Sequence, residues 1–350
     1  MKLLHSALRF RVNYFSDLGR HQVVIWMPGD TPPVDAQVDV GPKIEHEVPN
    51  EAFRSDIAPL KLGRFYPSLL LRADEAPGPM FRVMKLDESS FIANFSHPLQ
   101  GRIFSIDSGK ADVSTEPVGK VTQLLEWSGM ETQTQTPTDF EGPDSFSRED
   151  EFPDTKFYSI ARKVSHVDAV CARRIQALYR TVLPENARVL DLMAGWRSHL
   201  PDTVQSTVGL GLNAEELADN PQLAERIVKD INADPTLPFA DASFDAVVCT
   251  VSFEYLTQPH KIVAEAKRVL KPGGMFVVTL SHRYFPPKVI KLWTQLHSME
   301  RMAWVGMLIK QAGFNKVETY VEHGLKRPKD DRYADKLAES DPLFATWGVA

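Results

Sequence analysis

The stretch RVLDLMAGWR at residues 188–197 decides the fold, because it joins a short apolar strand to a turn that contains a glycine. The strand covers residues 188–192, and Gly195 follows it by three positions. In an α/β protein that binds a nucleotide, such a turn brings backbone N–H groups close to the ligand at the carboxyl edge of the sheet. One glycine is a weak signal, so the segments that follow decide how to interpret it.

Strands and helices alternate from residue 157 to the end. Helices are predicted at 166–180, 214–218, 259–270 and 300–312, and strands at 188–192, 207–212, 226–231, 244–250, 275–281, 316–321 and 343–349. The helix at 259–270 has Ile262, Val263 and Ala266 on one face, and Lys-Pro-Gly-Gly at 271–274 ends it. The apolar run at 275–281 is typical of a strand buried in a parallel sheet. This alternation predicts a doubly wound α/β domain.

Several short motifs in this half resemble the class I S-adenosylmethionine-dependent methyltransferases, in the branch called type 11, over residues 156–350. The motifs are Leu237-Pro238-Phe239, Asp241, Ser243-Phe244-Asp245, Val247-Val248 and Arg268-Val269-Leu270-Lys271-Pro272-Gly273-Gly274. The resemblance implies a Rossmann-like methyltransferase domain with a mostly parallel seven-stranded sheet and an antiparallel last strand at 343–349. It also implies S-adenosyl-L-methionine as the cofactor.

The same resemblance implies a set of cofactor-binding residues at the strand ends: Asp191, Met193, Gly195, Gly211, Asn213, Asp230, Ile231, Asn232 and Thr250. Met193 and Arg197 stand where the family has its outer glycines. Gly211 stands where an acidic residue normally holds the ribose hydroxyls. Asn213 or Glu216, at the start of a helix, can reach a diol instead. The alternative is a degenerate pocket.

Three of these residues have structural alternatives. Asp191 can orient the glycine turn through backbone hydrogen bonds rather than contact the ligand. Asp230 and Asn232 can belong to a solvated turn instead of the adenine pocket. In each case the sequence leaves both interpretations open.

Methyl transfer needs an aligned acceptor and, for some nucleophiles, a base. The candidate catalytic residues are His166, His199, Tyr255 and His282. His166 belongs to the segment 157–168, where this family often places a lid over the cofactor. His199 follows the glycine turn, and Tyr255 and His282 follow the fourth and fifth strands, at the usual substrate side. The alternative for each is capping or packing.

The first 112 residues read as short strands separated by Pro and Gly, which predicts a small β-rich domain. His97-Pro98-Leu99-Gln100-Gly101 resembles a signature of the FKBP-type prolyl isomerases, and the alternative is an ordinary His-Pro turn. Residues 113–155 include TQTQTPT at 132–138 and an acidic run rich in Ser and Pro, which favours a linker. We therefore predict a β-rich, FKBP-like domain at 1–112, a linker at 113–155 and a methyltransferase domain at 156–350.

The composition restricts which binding partners and which cellular compartment we expect. A net charge of −6 argues against nucleic acid as the main partner, because phosphate binding needs a basic field. Cys171 and Cys249 form no disulfide framework, and no His or Cys spacing is typical of a metal site. The apolar residues at the start are interrupted by charges, and no apolar run is long enough to span a membrane. We expect a cytoplasmic protein without a metal or a membrane partner.

The predicted function is methyl transfer to a small molecule through a thiol, hydroxyl or amine nucleophile. The alternative is a chaperone-like, FKBP-type peptide binder whose methyltransferase half modifies a protein or only senses the cofactor. A protein substrate held by the N-terminal domain therefore remains open. We expect the two halves to cooperate in substrate handling.

Overall fold

The structure is a computed structural model that describes residues 4–29, 40–72, 76–120, 123, 128–130 and 137–350. Its strands are β1 (His5–Phe15), β2 (Arg20–Pro28), β3 (Glu45–Pro49), β4 (Phe65–Pro67), β5 (Met80–Leu86), β6 (Ser90–Asn94), β7 (Phe104–Val113), β8 (Arg188–Leu192), β9 (Ser206–Gly211), β10 (Glu225–Val228), β11 (Phe244–Thr250), β12 (Leu270–Leu280), β13 (Asn315–His323) and β14 (Leu343–Val349). Its α-helices are α1 (Asp154–Phe157), α2 (Ala169–Val182), α3 (Ala214–Asp219), α4 (Pro259–Val269), α5 (Lys291–Gln295) and α6 (Ser298–Gln311).

Seven strands of the C-terminal half lie in the order β10-β9-β8-β11-β12-β14-β13. β8, β9, β10, β11 and β12 pair in parallel, whereas β14 runs antiparallel to both β12 and β13. The central strands β11 and β12 are apolar and buried, as expected for strands covered on both faces. The predicted Rossmann-like domain with its antiparallel last strand is confirmed.

Helix α4 shows why the sequence pattern located these elements. Its buried residues include Ile262, Val263, Ala266 and Val269, which recur at helical spacing on the face against the sheet. Pro259 opens the helix at a position where a missing N–H costs nothing. The strand that follows the helix, β12, pairs with β11, so that the carboxyl ends of the two strands lie side by side.

Three N-terminal strands extend this sheet rather than forming a fold of their own. β2 pairs in parallel with β13, β1 pairs with β2, and β7 pairs with β1, which gives a ten-stranded mixed sheet. The other four, in the order β3-β6-β5-β4, form a separate antiparallel sheet. The sheet thus crosses the predicted boundary between residues 1–112 and the catalytic half.

The FKBP-like interpretation of the N-terminal half finds no support in this topology. The segment His97-Pro98-Leu99-Gln100-Gly101 follows β6, which belongs to the small sheet, and leads to β7, which belongs to the large one. It is therefore a crossing between two sheets. The signature instead implies a turn into the last strand of one small sheet. The sequence of this segment is compatible with a crossing between sheets and with a turn inside one sheet, because a His-Pro turn precedes many strands.

The described part of the predicted linker packs against the catalytic half. Phe140 is buried in the main core, and Arg148 forms an ion pair with Asp154 at 2.8 Å. The ammonium of Lys288, which is fully buried, lies 3.2 Å from Asp154 Oδ1. Polar composition predicted a tether here, but these charges have partners in the fold. Residues 121–122, 124–127 and 131–136 of the segment lie outside the described residues.

The small sheet is attached to α6 through a buried ion pair. Arg64 Nε donates to Glu300 Oε1 at 2.9 Å, and the backbone N–H of Phe65 donates to the same oxygen at 2.9 Å. Both charged side chains are almost fully buried. Removing one partner of such a pair costs about 3–5 kcal/mol, because the other charge stays buried without compensation.

Candidate active site

One cavity lies at the carboxyl ends of β8, β9, β10 and β11, under the segment that precedes α2. Of the predicted residues it is lined by Asp191, Met193, Gly195, Gly211, Asn213, Asp230, Ile231, Asn232, Thr250, His166, His199 and Tyr255. The structure thus brings together every predicted cofactor residue and three of the four predicted catalytic residues. Their individual roles stay predictions.

The glycine turn after β8 folds over the end of β9. The N–H of Ala194 donates to the carbonyl of Leu210 at 2.8 Å, and Met193 takes a left-handed backbone with φ of 60°. A Cβ on Gly211 would lie 2.1 Å from the carbonyl oxygen of Ala194. A side chain at position 211 therefore collides with the turn. This contact explains why an acidic residue is absent there.

Asn213 and Glu216, the two candidates for the ribose contact, have different contacts within the protein. The Asn213 side chain accepts from the Glu216 N–H at 3.0 Å, which caps α3, and donates to the carbonyl of Tyr158 at 2.9 Å. Its amide is thus engaged within the protein. A Cβ on Gly195 would lie 3.1 Å from Glu216 Oε2, so this carboxylate lies against the glycine turn. Its other oxygen accepts from the Arg162 N–H at 2.6 Å.

Asp191 is a buried acid in the wall of the cavity. Its carboxyl is almost fully buried, and its Oδ2 has no hydrogen-bond partner among the described residues. Burial raises its pKa to about 7, an effect opposed by a hydrogen bond with Ser198. A buried carboxylate with a free oxygen suits a ligand that brings a positive charge or an N–H donor.

The corner after β10 is held by its own polar side chains. Asp230 accepts from the N–H groups of Asn232 at 3.0 Å and Ala233 at 3.1 Å. The Asn232 amide donates to Asp154 and to the Tyr255 carbonyl, and its oxygen accepts from the Thr257 N–H. The corner is therefore rigid, with Ile231 presenting an apolar surface beside it. These bonds favour a structural share in the roles of Asp230 and Asn232.

The predicted catalytic residues differ in what they can do. Desolvation lowers the pKa of His199 to about 4, with Arg197 as the next cause. Tyr255 accepts from the Phe285 N–H at 2.8 Å, and burial raises the pKa of its phenol well above the usual value. Neither group is a strong base at neutral pH. His166 lines the cavity, with the centre of its ring 5.6 Å from that of the Phe285 ring.

His282 points away from this cavity. Its Nε2 lies 2.9 Å from the Ser298 hydroxyl, and its ring lies 5.3 Å from the ring of Phe344. It follows β12 at the expected edge, but packing against α6 and β14 directs the side chain elsewhere. Its predicted catalytic role therefore lacks a contact with the cavity.

A side chain of α2 contacts Thr250. The hydroxyl of Tyr179 lies 2.7 Å from the Thr250 hydroxyl and 3.3 Å from that of Thr279, and Tyr179 is fully buried. This link fixes the end of β11 relative to the helix that follows the lid. It was not evident from the sequence, because the two residues are 71 positions apart.

The segment 157–168, predicted as a lid, forms part of the cavity wall, and its role as a lid stays a prediction. It contributes Tyr158, Arg162, Val164, Ser165 and His166 to the lining. Arg162 was missed by the sequence analysis, as was Phe285 as a wall of the cavity. The only available signal was their position, one within the lid and the other after β12.

The comparison with protein families agrees with this geometry. Residues 195–278 match the model of a methyltransferase domain. The prediction of an S-adenosylmethionine-dependent methyltransferase domain, and with it the expected cofactor, is confirmed.

Curated relatives match parts of the chain. A demethylmenaquinone methyltransferase of Renibacterium salmoninarum is 50% identical over 15% of this chain and 22% of its own length. The ubiquinone/menaquinone biosynthesis C-methyltransferase UbiE of Brucella anthropi is 35% identical over 35% of this chain and 44% of its own. The chain therefore spans less than half the length of these two relatives. Among solved structures, a methyltransferase of Thermotoga maritima described as a possible histamine N-methyltransferase has a TM-score of 0.37 at 17% identity, covering 51% of this chain and 88% of its own.

Two further observations concern the described residues alone. No helix in this part of the chain is both long and apolar enough to cross a lipid bilayer. No group of three or more His, Cys, Asp or Glu side chains there is arranged to hold a metal ion. The cytoplasmic location stays a prediction.

Proposed function

We propose that the full chain is an S-adenosylmethionine-dependent methyltransferase that acts on a small molecule. The observation that supports this most is Asp191, a buried carboxyl with a free oxygen in the wall of the cavity. S-adenosyl-L-methionine carries an ammonium group and a sulfonium. Asp191 satisfies its free oxygen by accepting from that ammonium.

Other residues hold the rest of the cofactor. Glu216 takes the ribose hydroxyls, since it lies against the glycine turn and its neighbour Asn213 is engaged elsewhere. Ile231 packs beside the adenine, and Thr250 borders the methyl-donor side. The donor set fits the cofactor, because it offers carboxylates to its hydroxyls and cation and an apolar surface to its base.

When bound, the cofactor supplies a methyl group activated by a positively charged sulfur. The chain aligns the acceptor and excludes water by means of the lid and the aromatic side chains of Tyr158, Tyr255 and Phe285. His199 and Tyr255 are poor bases at neutral pH. The cavity therefore favours an acceptor that has lost its proton before it binds over one that needs a strong protein base.

A small acceptor is favoured over a protein. The cavity is lined by Tyr158 and later residues, so no described residue of the small N-terminal sheet contributes to it. The peptide-binding alternative rests on the FKBP-like interpretation, which the topology does not support. The relatives named above, whose names refer to quinone compounds, are consistent with a ring-containing acceptor.

The test uses the purified full chain. We expect S-adenosylhomocysteine to bind in a calorimeter with one site per chain and to raise the melting temperature by mass action. Asp191→Asn, with its fold checked by circular dichroism, should weaken binding at pH 8. Absence of both heat and thermal shift in the wild-type protein at millimolar ligand would refute the proposal.

A further inference from the structure

Two arginines line the cavity without an ion-pair partner among the described residues. Arg162 comes from the lid, and Arg197 comes from the loop after the glycine turn. Arg197 is exposed, and its guanidinium lies 4.0 Å from the centre of the Trp196 ring. The other cavity cation, Lys229, is paired with Asp234. An unpaired guanidinium at a half-buried wall is available to an anion.

Arg162 is held in place by aromatic rings. Its guanidinium carbon lies 3.8 Å from the centre of the Phe157 ring, 5.4 Å from that of Phe285 and 5.8 Å from that of Tyr158. One N–H donates to the carbonyl of Phe157 at 3.1 Å. These contacts fix the plane of the guanidinium and leave the remaining N–H donors without a carboxylate. The group is thus positioned before any ligand arrives.

The two arginines come from different segments of the cavity wall. Arg197 follows the turn whose neighbours Asp191 and Gly195 border the proposed cofactor. Arg162 contacts Phe285, which follows β12, the strand whose end the family resemblance puts on the substrate side. The cofactor carries one carboxylate, and Arg197 is the cation next to its end of the cavity. Arg162 then has no anion to bind within the cofactor.

We propose that Arg162 recognises an anionic oxygen on the methyl acceptor, so that the acceptor is a flat, largely apolar molecule carrying a carboxylate or an ionised hydroxyl. The inference rests on the proposed function. The aromatic rings of Tyr158, Tyr255 and Phe285 accommodate the flat part. Arg162 compensates the charge in a place where burial otherwise disfavours it. The weakness of the nearby bases agrees with an acceptor that binds already ionised.

The experiment uses the full chain saturated with S-adenosylhomocysteine. 2-Naphthoate and 2-naphthamide serve as probes, because they have similar shape and differ in charge. We expect the wild-type protein to bind naphthoate at least about tenfold more tightly than naphthamide. Arg162→Gln should reduce that preference to less than about twofold, and Arg162→Lys, which keeps the charge, should retain part of it. Arg332→Gln is the matched control and should keep the preference, because Arg332 also lies over an aromatic ring, that of Tyr333, but does not line the cavity.

Melting temperatures show whether each variant is folded. Equal binding of the two probes by the wild-type protein, or an unchanged preference in folded Arg162→Gln, would overturn the inference. It would also be overturned if Arg162→Gln weakened S-adenosylhomocysteine but not methylthioadenosine, which lacks the amino-acid part, because Arg162 would then hold the cofactor's carboxylate. Failure of the wild-type protein to bind S-adenosylhomocysteine would instead contradict the proposed function, so the two failures are distinguishable.

Discussion

Asp191 gives the sharpest prediction, because its burial couples cofactor binding to pH. Its pKa is about 7 in the folded protein, against 3.8 for an ordinary Asp. Because the pKa of Asp191 is higher in the folded protein than in the unfolded one, its contribution to folding stability is complete below pH 3.8. That contribution is lost as pH rises through 7. Three units correspond to about 4 kcal/mol of unfolding free energy. Asp191→Asn removes this penalty, so the variant should be more stable than the wild-type protein at pH 8 and not at pH 4.

A cationic ligand favours the ionised form of Asp191, whereas burial favours the protonated form. The ammonium group of S-adenosylhomocysteine favours the ionised form of Asp191, so below pH 7 the protein must first release a proton. Affinity should then fall roughly tenfold for each pH unit below 7 and stay level above it, because 1.36 kcal/mol corresponds to one unit. The titratable groups that interact with Asp191 are the Tyr179 phenol and the Cys249 thiol, and burial raises the pKa of both, so neither ionises in this window. The pKa of His199 in the same cavity, about 4, lies below it.

Calorimetric titrations between pH 5.5 and 8.5 measure this profile, and two buffers of different ionisation enthalpy give the number of protons released. In Asp191→Asn the profile should be flat and the affinity at pH 8 lower. Asp230→Asn is the matched control, since Asp230 lines the same cavity but accepts two backbone N–H bonds. A flat profile in the wild-type protein, or the same slope in Asp191→Asn, would refute the reasoning.

Three further predictions concern other residues. Glu216→Gln should weaken S-adenosylhomocysteine by about 2 kcal/mol in calorimetry, whereas Asn213→Ala should cost about 1 kcal/mol of stability through its lost cap; equal binding losses would mean that Asn213 also touches the ribose. Arg64→Leu should lower the urea-derived unfolding free energy by about 3 kcal/mol, while Lys85→Met, which breaks an exposed pair, should change it by less than about 0.5 kcal/mol; similar changes would contradict the buried-pair argument. Residues 156–350 produced alone should aggregate or melt well below the full chain, because β13 loses its pairing with β2 and becomes an open edge. An equally stable monomer in light scattering would show that the N-terminal strands are dispensable.

The motifs from Asp191 to Gly274 predicted the cavity because parallel strands end at one edge of a sheet. Residues that follow different strands therefore meet, however far apart they lie in the chain. That rule placed Asp191, Gly195, Ile231 and Thr250 around one space without knowledge of any side-chain direction. The same rule gives no information on where a side chain turns after its strand has ended. His282 follows β12 as expected and packs on Phe344.

Roles within the cavity depended on contacts between distant segments. Asn213 looked able to bind a diol because an amide both donates and accepts. In the structure its amide meets the carbonyl of Tyr158, 55 residues earlier. The sequence showed that Gly211 departs from the family pattern. The reason, the closeness of the Ala194 carbonyl, is visible only in the three-dimensional structure. Neither contact has a local signature.

The N-terminal half shows the limit of strand prediction most clearly. Phe10, Val12 and Tyr14 alternate with polar neighbours, a pattern typical of a half-buried strand, and they are buried in β1. A period of two does not show which strand lies beside it. Here β2 pairs with β13, so that Val23 lies opposite Val321. The three added strands cover what would otherwise be an open edge of the catalytic sheet, and an uncovered edge invites aggregation. The cavity lies toward the other end of the strand order, at β8 to β11. The described N-terminal strands therefore extend the sheet without lining the cavity, and the expected cooperation of the two halves in substrate handling stays a prediction.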